Sequence, residues 1–226
     1  MATMSSPRLT GQEIADAGLD GWTFLGTHLA ARFRTGDFAT GLALLDAVGA
    51  AAEEADHHPD LDLRYPHLDV RLTSHDSGGV TARDVRMARR ISELAQERGV
   101  TADAGAVSRL DLALDTPDRA RVLPFWSAAL GLTGGGHVPD DEIRDPAGTH
   151  PNLWFQDSGD EEPRQRWHLD VWVDPDQVQG RIDAALAAGG RLVSDAEAPS
   201  FWVLADTDGN RVCLCTWLDR DAGVGE

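Results

Sequence analysis

The chain reads as an α+β protein: an antiparallel sheet covered by helices on one face, followed by paired β-α-β-β-β modules. Three observations predict this. A strictly alternating run at residues 68–75 lies between two stretches of helical period. Residues 99–106, GVTADAGA, form a break of small residues. Beyond that break the pattern of elements repeats at an offset of 58 residues. The break divides the chain into domains at 1–100 and 107–220, each within the usual size range.

Taken in order, residues 22–38 carry enough aromatics and alternation for one or two strands, with Gly36-Asp37 as a turn. From Ala39 to Ala55, Leu42, Leu45, Val48, Ala52 and Ala55 recur at helical steps. Pro59 disfavours helical backbone at His58, so this helix should stop near His57. In the run that follows, Leu68, Val70 and Leu72 face one side, and Asp69, Arg71, Thr73 and His75 the other. Gly78-Gly79 turns the chain. A second helix starts at Thr81, with Val85, Ala88, Ile91, Leu94 and Ala95 as its buried stripe. In the second half, strands at 108–115 and 167–173 each precede a helix. Thr116-Pro117-Asp118 and Asp174-Pro175-Asp176 supply an N-cap followed by Pro at the first helical position, and Gly131 and Gly189 end the helices. Pro124 predicts a kink or a late start in the first of them. About three short strands follow each helix.

Charge excludes several functions. The 38 acidic residues outweigh 20 basic ones for a net charge of −18, and every basic residue is Arg. A chain without lysine forms no Schiff base, holds no pyridoxal phosphate through one, and has no Gly-Lys phosphate loop. No basic patch offers a nucleic-acid surface. No run approaches the 18 or so apolar residues of a membrane span, and Met1 to Thr10 lacks the order of a signal peptide. Cys213 and Cys215, two apart in an apolar run, read as reduced thiols of a cytoplasmic protein. The acidity is uneven: 16 acids and 10 arginines precede residue 106, and 22 acids and 10 arginines follow it.

Two segments concentrate titratable groups: DHHPD at 56–60 and SHD at 74–76. His57 and His58 follow a helix end, where unpaired carbonyls favour positive charge. His75 ends a strand on its polar face. If the two converge, three imidazoles surround one pocket, with Asp56, Asp76 and Asp84 nearby. Such a trio can give one proton and take another in a turnover, which suits a dehydration. Each piece also has a structural reading. A histidine after a helix caps its dipole, a strand-ending histidine is solvated, and Asp84, three residues after Thr81, closes a capping box. His-His-Pro could also contribute to a zinc site, although no fixed helical histidine pair supports one.

The run AEEADHHPDLDLRYPHLDVRLTSHDSGGVTARDVRMA, residues 52–88, resembles the pterin-4a-carbinolamine dehydratases, and the likeness covers roughly residues 9–98. It rests on the HHP motif, the spacing from His58 to His75, and a following G-V-T with an early helical Asp. The resemblance implies dehydration of 4a-hydroxytetrahydropterin to quinonoid dihydropterin, in recycling of the tetrahydrobiopterin that serves aromatic amino acid hydroxylases. It implies His57, His58 and His75 as active-site histidines, with Asp84 as the supporting acid. Asp56, Pro59, Leu61, Thr73, Ser74 and Asp76 would line the pterin site. Leu61 departs from the pattern, since the family has Trp there. The pterin is substrate, so no cofactor is implied, and a homo-oligomer is. An uncharged pterin needs no basic funnel, which makes the acidic chain compatible with it.

The second half, with FWSAALGL at 125–132 and LADTDGNRVCL at 204–214, resembles the vicinal-oxygen-chelate, or glyoxalase-like, superfamily over residues 107–218. In its metal-dependent members each module supplies a His, Gln or Glu from its first and last strands. Here His168 stands at the first-strand position of the second module, where the first shows Leu110 next to Asp111. Cys213 stands at the last-strand position, and the 58-residue offset sets Phe155 against it. His168 alone is a conventional ligand, with Cys213 and Gln156 as weak supplements, so no resident metal is expected. Six of the seven tryptophans lie here: Trp126, Trp154, Trp167, Trp172, Trp202 and Trp217. They predict core packing and a cleft for an apolar ligand. Two further functions therefore stand beside the dehydratase. One is a small-molecule-binding protein whose first domain is a dimerising platform. The other is a metal-dependent lyase or dioxygenase in the second domain.

Overall fold

The computed structural model describes residues 6–130, 142–145, 148, 150–158, 167–205 and 211–220. These form two units, one of residues 6–107 with 217–220 and the other of residues 108–216.

In the first unit a short helix α1 (Gly11–Asp16) precedes strands β1 (Thr23–Phe24) and β2 (Leu29–Arg34). Helix α2 (Phe38–Ala55), strands β3 (Asp60–Arg64) and β4 (His67–Leu72), and helix α3 (Ala82–Gln96) follow. Strand β5 (Thr101–Ala102) and a 3-10 turn at Ala104–Ala106 complete it. The sheet runs β1-β2-β4-β3 with every pair antiparallel, and β5 adds to β2. Alternation in β4 sends Leu68, Val70 and Leu72 inward, each wholly buried. They join Leu44, Val48 and Ala52 of α2 and Met87, Ala88, Ile91, Leu94 and Ala95 of α3 in one core. Asp37 caps α2 by accepting from the Thr40 N–H at 2.8 Å. At the other end Asp56 takes the left-handed conformation, φ 48°, and stops the helix.

Three local features differ from the sequence expectation. Residues 60–64, DLDLR, form strand β3, whose polar alternate positions are exposed at a sheet edge. Strand β4 ends at Leu72, so His75 lies in a turn and not at a strand end. The cause is the fold-back at 74–79, where Ser74 N–H donates to Gly79 O at 3.0 Å and Gly78 takes φ 66°. The small-residue stretch 99–106 is itself paired. Thr101 and Ala102 pair with Arg34 and Phe33, and Arg34 Nε donates to Asp103 at 2.8 Å.

The second unit holds β6 (Arg109–Thr116), α4 (Arg119–Leu130), β7 (Glu142–Ile143), β8 (Asn152–Asp157) and β9 (Trp167–Trp172). Then come α5 (Pro175–Ala187), β10 (Arg191–Ser194), β11 (Phe201–Ala205) and β12 (Arg211–Cys215). One sheet runs β10-β11-β12-β9-β6-β8-β7. The first strands of the two modules, β6 and β9, pair antiparallel at its centre, and each takes its module's last strand in parallel on its outer side. One face is apolar: Leu114, Leu153 and Phe155 pack with Val122, Leu123 and Trp126 of α4, while Val171, Leu204 and Leu214 pack with Val178 and Ile182 of α5. Asp174 caps α5 with Pro175 at its first turn, as the spacing predicts. Helix α4 starts at Arg119, so Pro117 precedes it and Pro124 does not delay its start. Among the described residues two strands follow α4 and three follow α5. The N-terminal five residues, Gly131 and the D-x-D-G-N turn lie outside the described residues. Among the described residues no helix is long and apolar enough to cross a membrane.

Candidate active site

The left-handed turn at Asp56 redirects the chain so that His57, immediately after α2, is buried. Its N–H still bonds back to Ala52 O at 3.1 Å. Its Nε2 lies 2.8 Å from Oδ1 of Asp84, which is 0% exposed in the first turn of α3. A carboxylate only accepts, so Nε2 carries the proton of that bond. The other oxygen, Oδ2, accepts from Ser74 Oγ at 2.7 Å, Thr81 N–H at 2.7 Å and Thr81 Oγ1 at 3.1 Å. One carboxylate thus does both things the sequence left open. Oδ2 closes the capping box of α3, and Oδ1 holds a histidine 27 positions away.

The other predicted residues divide into two groups. His58 is exposed, with Nε2 at 3.1 Å from Glu53 Oε1 one turn back on α2. His75 is exposed in the turn directly after Ser74. Asp56 is the exposed cap of α2. Asp76 pairs with Arg83, whose hydrogen bond holds its carboxyl below the ordinary range. Thr73 donates its hydroxyl to Thr27 O at 3.1 Å. Pro59 is half-buried, and Leu61 packs against the core from β3, its strand alternation turning it inward. The network therefore joins His57, Ser74 and Asp84 and leaves two imidazoles accessible beside it in sequence. Thr81 is the member that sequence reading used only as a helix start. Its capping position was the signal, because an N-cap hydroxyl and N–H must find an acceptor within the first turn.

In the second unit the face away from the helices is polar. Register sets Asp111 beside Asp170 and Ala113 beside His168, with Cys213 beside Asp170 on the other flank. This corrects the 58-residue alignment. Leu110 pairs with Val171 and Phe155 with Leu114, so both lie on the helix side of the sheet, and Phe155 is buried there. A shift of one residue along a strand reverses the face. Gln156 shares the polar face but stands on β8, with β6 and β9 between it and Cys213. Asp170, absent from the sequence-level ligands, accepts from Trp154 Nε1 at 3.0 Å, and burial raises its carboxyl above the usual value. Asp111 accepts from Trp172 Nε1 at 3.1 Å and pairs with Arg109.

Fold and site together describe a two-part protein: an α+β domain carrying a buried histidine–carboxylate pair, followed by a doubled β-α-β-β-β sheet. Residues 7–94 match the family model for pterin 4 alpha carbinolamine dehydratase, and residues 111–215 match the glyoxalase-like domain. Relatives from Nocardia farcinica and Metallosphaera sedula are 39% and 42% identical and carry provisional names as pterin-4-alpha-carbinolamine dehydratases. The chain covers 100% and 94% of them, while the matches span 41% and 39% of this chain. A solved structure from Brucella melitensis, titled a transcriptional coactivator/pterin dehydratase, is 36% identical over 39% of this chain and 98% of its own, with a TM-score of 0.37. The chain belongs to the pterin-4a-carbinolamine dehydratase family, and it carries a glyoxalase-like domain after the dehydratase one.

Proposed function

We propose that the first domain dehydrates a 4a-hydroxytetrahydropterin to the quinonoid dihydropterin, the step that returns tetrahydrobiopterin to aromatic amino acid hydroxylases. The carrying observation is a family member that keeps His57, His58 and His75 and anchors the first of them on buried Asp84. In this reaction the C4a–O bond breaks and the hydroxyl leaves as water after taking a proton from a histidinium. A second imidazole takes the N5 proton, and the freed electron pair becomes the N5–C4a double bond. His58 and His75, exposed and able to exchange protons with solvent, serve as that acid and base. His57 is the positioning member: Asp84 fixes its ring and tautomer. Asp56, Pro59, Ser74 and Asp76 border these histidines in sequence and would shape the pterin pocket. The reaction itself calls for no cofactor beyond the pterin substrate.

The test is the purified full chain with the carbinolamine, followed by ultraviolet absorbance. Acceleration over the buffer rate is expected, and His58→Ala with His75→Ala should lower kcat by about 100-fold or more. A rate equal to buffer, or one undiminished in the double variant, overturns the reading.

A further inference from the structure

The turn that carries His75 is built from residues that do little to hold it. His75, Asp76 and Gly78 are exposed, and the pair Gly78-Gly79 loosens the backbone beside them. Within the turn, Ser74 N–H donates to Gly79 O at 3.0 Å, Ser77 N–H to Ser74 O at 3.0 Å and Gly78 N–H to His75 O at 3.3 Å. Asp76 adds a partly exposed ion pair with Arg83, a kind of contact that contributes little.

Residues 6–9 lie across this turn and supply further bonds. Ser77 Oγ donates to Ser6 O at 2.8 Å, Leu9 N–H donates to Val80 O at 2.8 Å, and Arg8 forms an antiparallel bridge with Thr81. The Arg8 side chain passes over Gly79, where a Cβ would stand 2.9 Å from Arg8 Cδ, so the glycine leaves room for it. The other end of the segment is fixed in the core. Leu9 packs against it, Thr10 caps α1 by accepting from Glu13 N–H at 3.1 Å, and Ile14 is buried. Arg89 of α3 then ties the end of α1, donating to Ala17 O at 2.8 Å.

We infer that residues 6–9 are a positioning strap for His75: the Ser77–Ser6 and Leu9–Val80 bonds hold the 74–79 turn where its imidazole meets the pterin. The inference rests on the dehydratase reading, in which His75 is one of the two proton-exchanging histidines. Proton transfer needs heavy atoms within hydrogen-bond reach, so a turn displaced by an ångström loses rate and not binding. Buried Asp84 fixes the roots of the turn through Ser74 and Thr81, and the strap fixes its outer half through Ser77. Ser77 is thus a positioning residue that acts through its hydroxyl.

The experiment compares the full chain with its Ser77→Ala and Ser77→Thr variants. Before any pterin is added, amide exchange at Ser77 and Gly78 should be about fivefold faster in Ser77→Ala, as expected for one lost hydrogen bond. Turnover of the carbinolamine should show kcat lowered by roughly 5–10-fold with KM unchanged. Ser77→Thr keeps the hydroxyl and should restore both readouts. In a His75→Ala background, adding Ser77→Ala should lower kcat no further, because the strap acts through that imidazole. Unchanged exchange in Ser77→Ala, a loss that Ser77→Thr does not restore, or an equal kcat loss in the His75→Ala background each overturns the strap. A chain without turnover overturns the dehydratase reading alone, and the exchange rates then decide the strap.

Discussion

Asp84 shows how one residue couples stability to chemistry. It is wholly buried, yet each oxygen has partners, which is how a carboxylate persists in a core. Replacing it leaves Ser74, Thr81 and His57 with donors and no anion. Asp84→Asn is therefore expected to lower unfolding free energy by about 1–3 kcal/mol, read by urea denaturation. It should also lower kcat more than it raises KM, because His57 is mispositioned while the exposed histidines remain. Equal stability in the variant would mean that the carboxylate bears no structural weight. Thr81→Ala removes only the hydroxyl from the same network and should cost about 0.5–2 kcal/mol, the range of a lost N-cap.

At the scale of elements, β5 is the short strand that closes the first sheet, and Arg34 of β2 ties Asp103 just beyond it. Those hydrogen bonds depress the Asp103 carboxyl below the ordinary value of 3.8. A depressed carboxyl stabilises the fold fully above that ordinary value, and the contribution is lost as pH falls through the lower folded one. The Asp103 amide, bonded to Arg32 O at 2.8 Å, should thus lose hydrogen-exchange protection in acid. In Arg34→Ala that additional acid loss should be absent, and an identical acid profile in the variant would assign the effect elsewhere. In the second unit, elements explain the failed ligand alignment. The repeat is visible as strands and helices at an offset of 58, but β6 and β9 pair so that face assignment follows register and not the repeat count.

For the whole molecule, charge is the dominant feature. A net charge of −18 spread over a chain without lysine makes self-repulsion a standing destabilising contribution. Raising salt from about 0.02 to 0.2 M shortens the screening length several-fold and should raise the melting temperature. A melting temperature that falls with added sodium chloride would instead show that favourable ion pairs outweigh the repulsion. The acidity is greatest in the half that follows residue 106, so the repulsion is concentrated there.

The α+β class, the two long helices α2 and α3 of the first domain, the inward stripe of β4 and the three histidines were legible in the sequence, while the short helix α1 was not. Each depends on local periodicity or on a contiguous motif, and those are written in one dimension. Strand β3 escapes the local pattern because its alternate residues are charged at a sheet edge, and the alternating run outlasts β4 because the turn at 74–79 ends that strand at Leu72, ahead of His75. The partnership of His57 with Asp84, the double use of that carboxylate, and the convergence of His168, Asp170 and Cys213 were decided only by the tertiary structure. They depend on which residues meet across 27 and 43 positions and on which face each strand presents. Register sets both, and pairing between distant strands and helix ends carries no signature in the local order of residues.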